Sequence, residues 1–318
     1  ELHPDLSLSK SDLMTILKRL GYRPVDLLQG PGTFRSIDLG LEIHLRAFNF
    51  IDEARNSNKI RVSFNGDQLQ SISSEGRSIP LIRLEPATIG SFFPSHGEDR
   101  IILSPEQVPK LLSEGLKSIE DKEFDMHQGV SLRGIFRAFL VNLQSGEVRQ
   151  GGSTLTQQLV KSYYLTNRQT LERKLKEVAM ALILEARFAK TDLLTAYINE
   201  IFLGQNGSRA IHGFGLGSYY YFNKPIVELN PSEIATLISI IRGPSYYNPF
   251  RHPERALKRR DFILERFHED GLITKQELDS SLNRNLGVSR SSSGIASYYP
   301  AFLDQVRQEL ASDYGPKD

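Results

Sequence analysis

The chain has no cysteine. Disulfides, thiolate metal sites and a cysteine nucleophile are therefore excluded. The compartment stays open, because a protein of this size can manage without disulfides. A net charge is nearly absent as well: 39 Lys plus Arg stand against 38 Asp plus Glu. No global field marks the chain for nucleic acid, and any anion binding has to come from local clusters. Long apolar runs are missing too. The longest spans residues 178–184, far short of the roughly 18 residues that cross a bilayer. Neither an initiator methionine nor a signal peptide opens the chain at Glu1. The expectation is a soluble or membrane-peripheral piece of something longer.

What is present suffices for two domains. Hydrophobic residues make up 39% and charged residues 24%, a balance that supports packed cores rather than disorder. The 318 residues exceed the roughly 100–200 of an ordinary single domain. Near the start, Leu13, Ile16, Leu17 and Leu20 follow helical spacing, closed by Gly21 and Pro24. From Thr33 the period becomes two. Ile37, Leu39, Leu41, Ile43 and Leu45 alternate with polar residues or glycine, which predicts one half-buried strand. Arg61 to Phe64, then Asn65-Gly66-Asp67, then Leu69 to Ile72 predict a hairpin, and Ile79 to Leu84 a further strand. Residues 1–97 are expected to form a small α/β domain of structural or binding character. Ser7 and Lys10 form an S-x-x-K there, but without the partner motifs that would give it meaning.

Residues 98–287 read as mainly α-helical. Pro105 starts a helix through Leu111, Leu112, Leu116 and Ile119, and further helices are expected over 154–165, 170–189, 191–203, 231–242 and 253–270. Leu132, Ile135, Phe136, Phe139, Leu140 and Leu143 also keep helical spacing, with Arg133 and Arg137 on the other face and Arg149 nearby. That stripe is either core or a surface for lipid, whose anionic headgroups the arginines would suit. A Ser-rich stretch at 289–294 opens residues 288–318, expected to be a linker toward a domain beyond this chain.

Three strings carry chemical interest. The first holds Glu120, Asp121, Phe124, His127 and Gly129. In the second, Gly151 and Gly152 precede Ser153, Thr154, Gln157, Gln158 and Lys161; Thr154 and Gln157 have capping-box spacing, and such a helix start offers N–H groups to an anion. Lys161, at i+7, shares a face with Thr154. In the third, Arg173 and Glu177 are i,i+4 and Lys174 and Glu177 are i,i+3, which taken alone is an ordinary solvated face. The glycine stretch lacks the nucleotide P-loop pattern. A solitary histidine such as His127 is more often structural than catalytic.

Together, in this order and spacing, the strings resemble the glycosyltransferase domain of class A penicillin-binding proteins. The match continues through Ala196-Tyr197-Ile198-Asn199-Glu200 with Gly204, then through Pro244 to Pro249 and His252 to Arg260. Five motifs fall within residues 120–264. Ile198 and Phe202 depart mildly from the usual pattern, and neither is a charged position. Residues 1–97 are similar, more loosely, to the docking domain of the b subtype.

The resemblance implies a lysozyme-like helical fold that polymerises a lipid-linked disaccharide, lipid II, onto a growing glycan chain. The anomeric carbon would invert and undecaprenyl pyrophosphate would leave. It implies Glu120 as general base and Glu177 as second essential acid, the latter also a ligand for Mg²⁺ or Mn²⁺. Ser153, Thr154, Gln157, Gln158, Lys161, Arg173, Lys174 and Asn199 would bind substrate or pyrophosphate, with Asp121, Phe124, His127 and Gly129 in support. It further implies a membrane surface, an outer-membrane lipoprotein activator at the docking domain, and other division or elongation proteins as partners. The place would be the periplasmic face of a Gram-negative inner membrane, with the anchoring helix outside this chain. No K-[ST]-G triad is present, so no transpeptidase activity is expected of these residues. A lysozyme-like hydrolase or lytic transglycosylase is the alternative, although it has no need of a pyrophosphate cradle. A binding protein with a decayed site is a third reading, opposed by the intact Glu120 and Glu177.

Overall fold

A computed structural model of the chain describes residues 1–28, 30–87, 98–131, 133–134, 136, 152–164, 170–207, 209–288, 302, 305–306 and 308–309. It divides into two compact units, Glu1–Phe92 with Ile295–Asp318, and Phe93–Gly294. Most of the predicted apolar stripe, and nearly all of the predicted linker, lie outside the described residues. Of the stripe's aromatic residues, Phe136 is described and is exposed.

The first unit is a helix on a sheet. Helix α1 (Lys10–Arg19) starts at Ser9, whose hydroxyl accepts the Asp12 N–H while Asp12 reaches back to the Ser9 N–H, a complete capping box. The sheet runs β1 (Arg23–Pro24), β2 (Thr33–Ile37), β3 (Gly40–His44), then β6 (Lys59–Asn65), β7 (Gln68–Ser74) and β8 (Arg77–Ser78). The short strands β4 (Phe48–Asn49) and β5 (Ala54–Arg55) pair separately. In β6, Ile60, Val62 and Phe64 are buried while Lys59, Arg61 and Asn65 face out, the period-two pattern of a half-buried strand. They form one core with Leu13 and Leu17 of α1 and Leu41, Ile43 and Leu69 of the sheet.

The predicted hairpin is present, turning at Gly66 with φ +61. The predicted single strand from Thr33 is two. The chain reverses at Asp38–Leu39 and pairs with itself in register Ile37↔Gly40, leaving Leu39 exposed at the turn. Gly40 allows this, because a Cβ there would sit 2.0 Å from the Val62 carbonyl oxygen of the next strand. Period two continues across a two-residue turn, so alternation could not reveal the reversal. Ile79 to Leu84 is likewise not a regular strand; within it Ile82 makes an isolated bridge to Leu2. Lys10 of the S-x-x-K donates to the Ile37 carbonyl at 2.6 Å and Ser7 bridges Gln68, both structural uses.

The second unit is mainly helical. Its elements are β9 (Glu98–Asp99), α2 (Lys110–Glu120), α3 (Leu155–Tyr164), α4 (Leu171–Arg187), α5 (Lys190–Glu200), β10 (Phe202–Asn206), β11 (Arg209–His212), α6 (Gly213–Phe222), α7 (Pro231–Ile241), α8 (Pro253–Glu269) and α9 (Lys275–Leu282). The helices predicted from residue 154 onward match within a few residues, the usual uncertainty of helix ends. The one predicted from Pro105 is instead a 3-10 turn, Pro105–Gln107, an extended Val108, and then α2 from Lys110. Helix α7 is buried along nearly its whole length and packs on α2 and α8. Helix α3 packs on α4 and α5.

Five elements were not foreseen: β9, β10, β11, α6 and α9. Helix α6 (GFGLGSYYYF) carries three glycines and is apolar all round. All of it but Tyr219 and Tyr220 is buried, so it needs no polar face and no 3.6-residue period is written into it. Among the described residues no helix is long and apolar enough to cross a membrane.

Candidate active site

Helix α2 ends at Glu120 because Asp121 turns to an extended φ of −158. Asp121 is buried, and its Oδ2 accepts the backbone N–H of Leu155, the first residue of α3, at 2.9 Å. The same oxygen accepts from His127 Nε2 at 2.9 Å. Gly129 N–H donates to His127 Nδ1 at 3.1 Å, so the ring hydrogen belongs on Nε2, facing Asp121. Phe124 is buried beside this histidine, with the Lys190 ammonium 4.4 Å from its ring centre. Gly129, at φ +89, lies against α4: a Cβ there would be 2.8 Å from the Ala181 carbonyl oxygen. The first string therefore builds a scaffold that seats Glu120 against α3 and α4.

Two N–H groups of the expected anion cradle are already engaged within the protein. The Leu155 N–H already receives a carboxylate from within the protein, and the Gln157 N–H is taken by Thr154 Oγ1 at 3.2 Å. Thr154 and Gln157 form the predicted capping box, but both are buried, and the Thr154 hydroxyl donates to the Gly129 carbonyl at 2.7 Å. Their polar atoms hold the helix start in place, and only the Gln157 Nε2 lacks a partner. Lys161 is exposed toward the other end of α3 and does not share the buried environment of Thr154.

Glu120 is half-buried and closely surrounded. Gln158 Nε2 donates to its Oε2 at 3.1 Å, and the Tyr197 hydroxyl donates to Gln158 Oε1 at 3.0 Å. Gln158 thus links Glu120 to Tyr197. Burial pushes the Glu120 carboxyl above its ordinary value, against the Gln158 hydrogen bond and the positive charges of Arg259 and Arg242, with Asp121 adding to the rise. Arg259 is itself lowered, chiefly by burial and then by Arg242, with Glu120 and Tyr247 opposing. Tyr197 is completely buried, and burial, then the Glu120 charge, lifts its hydroxyl far above the ordinary value. Arg242, Arg259 and Tyr197 were not among the residues expected at the site. Arg242 follows α7 and Arg259 lies in α8, so only folding brings them to Glu120.

The second acid lies on α4. Glu177 is buried, and Arg173 Nη1 donates to its Oε2 at 3.0 Å while Lys174 Nζ bonds its Oε1. Lys174 also donates to Ser153 Oγ at 2.8 Å. Local spacing had put these three on one face; tertiary structure adds burial and Ser153. The two acids are thus tied to the same short stretch of chain, Glu177 through Lys174 to Ser153 and Glu120 to Gln158. Asn199 stands apart. Its Oδ1 accepts the Leu103 N–H at 2.8 Å and its Nδ2 donates to the Leu103 carbonyl at 2.9 Å. With both ends of the amide engaged, it anchors the segment before α2.

A metal does not fit the donor set. Each Glu177 oxygen already meets a cation, and among the described residues no group of three or more His, Asp or Glu could hold an ion. A divalent cation would gain a single carboxylate and displace an ammonium or guanidinium to reach it.

Comparison with known proteins finds two family matches that follow one another along the chain. Residues 86–268 match the transglycosylase family, and residues 2–84 match the bifunctional transglycosylase second domain. The chain belongs to the transglycosylase family. Over 318 aligned residues it is 41% identical to penicillin-binding protein 1B of Vibrio cholerae serotype O1, covering 99% of this chain and 41% of that protein. It is 38% identical to penicillin-binding protein 1B of Escherichia coli strain K12, covering 99% of this chain and 38% of that protein. The chain therefore spans about two fifths of the length of these relatives.

Proposed function

We propose that the chain is a peptidoglycan glycosyltransferase, which joins the C4 hydroxyl of lipid II to C1 of a growing glycan chain. The observation that carries this reading is Glu120 itself: a carboxyl raised by burial, held by Gln158 and faced by Arg242 and Arg259. A raised carboxyl is better matched to removing a hydroxyl proton near neutral pH than a free one. The C4 oxygen forms the new bond to C1 as its proton passes to Glu120. The C1–phosphate oxygen bond breaks, its electron pair leaves with undecaprenyl pyrophosphate, and the anomeric centre inverts.

Negative charge grows on the diphosphate as it departs, and fixed cations stabilise it. Arg173 and Lys174, held by Glu177, supply that charge, with Ser153 beside them and the exposed Lys161 as an outer contact. No step requires Mg²⁺ or Mn²⁺ held by the protein. The place of work is the periplasmic face of an inner membrane, where the lipid-linked substrate is available. The first unit takes an outer-membrane lipoprotein activator, a reading supported by its match to the second domain of bifunctional transglycosylases.

The test is incubation with lipid-linked disaccharide pentapeptide, with and without moenomycin, and gel analysis of labelled glycan. Long strands that vanish with the inhibitor are expected from the parent chain, and none from Glu120→Gln. Shortening of preformed glycan strands would instead identify a hydrolase. Chain growth by Glu120→Gln at the parental rate would remove Glu120 from the mechanism.

A further inference from the structure

Gln158 presents its NH₂ to Glu120, although the two ends of a side-chain amide are nearly the same size. Something must decide which end faces the acid. Five neighbours surround the Glu120 carboxyl in the electrostatic balance or by hydrogen bond: Asp121 next in the chain, Gln158 from α3, Tyr197 from α5, Arg242 after α7 and Arg259 from α8. Tyr247 acts on Arg259 behind them. Of these, Tyr197 touches the far end of Gln158, and its hydroxyl is buried with Gln158 Oε1 as its acceptor at 3.0 Å.

We propose that Tyr197 is a positioning residue for the glycosyl transfer, which fixes the Gln158 amide so that it donates to Glu120 and keeps the base ionised. This rests on the reading of Glu120 as general base. If the amide were reversed, its oxygen would face Glu120 and favour the protonated acid. The Tyr197 O–H would then meet an NH₂ and have no acceptor, and a buried donor without a partner is costly. Reversal is therefore opposed at the tyrosine end. Burial keeps Tyr197 protonated across the working range, so it remains a donor while Glu120 changes charge. With phenylalanine in its place, the amide is free to follow Glu120. A protonated Glu120 would then find an acceptor that the parent denies it.

The experiment measures kcat for polymerisation of lipid-linked disaccharide pentapeptide against pH, in the parent, Tyr197→Phe, Gln158→Leu and the double variant. Thermal melting of each confirms folding. In Tyr197→Phe the acid limb of the profile should move up by roughly one pH unit, with KM little changed. Gln158→Leu should move it in the same direction, because it removes a donor to the carboxylate. Adding Tyr197→Phe to Gln158→Leu should move it no further. An unmoved limb in Tyr197→Phe, or an equal additional displacement in the double variant, overturns the positioning role. If Tyr197→Phe does not fold, an unmoved limb in Gln158→Leu overturns it alone. Parental activity in Glu120→Gln would instead overturn the assignment of the base on which this role depends.

Discussion

Asp121 Oδ2 lies 2.9 Å from the backbone nitrogen of Leu155, so the residue after the proposed base holds the first N–H of the helix that carries Gln158. A carboxylate at a helix N-terminus satisfies an unpaired donor and opposes the positive end of the helix dipole. The contact does two things at once. It sets α3 against the end of α2, and it fills the place a substrate phosphate would take at a free helix start.

Removing this carboxylate leaves two buried donors, the Leu155 N–H and the His127 Nε2–H, without their acceptor. Asp121→Ala should lower stability by about 3 kcal/mol, read as a reduced midpoint in urea. Asp121→Asn keeps one acceptor and should fall between the two. Equal midpoints for all three proteins would mean that the contact contributes nothing to stability.

Gly129→Ala is expected to be as damaging through a different cause. The residue sits at φ +89, and its new methyl would be 2.8 Å from the Ala181 carbonyl oxygen on α4. Strain and contact together should cost about 3 kcal/mol and displace α4 with Arg173, Lys174 and Glu177. Thermal melting reports the first effect, and loss of glycan synthesis at temperatures where the variant is folded reports the second.

For Glu120 the sign of the pH dependence can be worked out. Its folded pKa is raised above the reference value of 4.5, mainly by burial. Between the two values the folded state binds more protons than the unfolded state, so stability falls as pH rises through that window. Glu120→Gln removes the penalty of the buried charge. Its stability should match the parent near pH 4 and equal or exceed it near pH 8, while activity is lost. Urea titrations at both values provide the check, and a variant less stable than the parent only at pH 8 would contradict the account.

Glu177→Gln should behave in the opposite way, losing stability as well as activity. Arg173 keeps 16% of its side chain exposed and would lose its carboxylate partner at 3.0 Å. Lys174 is 43% exposed, so solvent screens much of its share. A net loss of roughly 2 kcal/mol is expected, carried mostly by Arg173. Retention of both stability and chain growth in this variant would show that the cations need no orienting acid.

Much of the first unit and of the helical order was legible before the coordinates. The NGD hairpin, the Thr154–Gln157 capping box and the Arg173–Lys174–Glu177 face are all relations within a few residues, and short-range spacing encodes them directly. The failures share a cause as well. The reversal at Asp38–Leu39 preserves the alternation it interrupts, and α6 is apolar almost throughout, so neither leaves a periodic mark.

The sequence by itself determined which groups are available to the reaction and which face of its helix each occupies, since those follow from residue type and the 3.6-residue turn. Only the tertiary structure decided who meets whom. Gln158 went to Glu120, Asn199 to Leu103, and Asp121 to the start of α3, and none of these pairs is closer than 34 residues along the chain. Such pairings are set by how helices pack on a shared core, and spacing along one helix carries no record of the helix beside it.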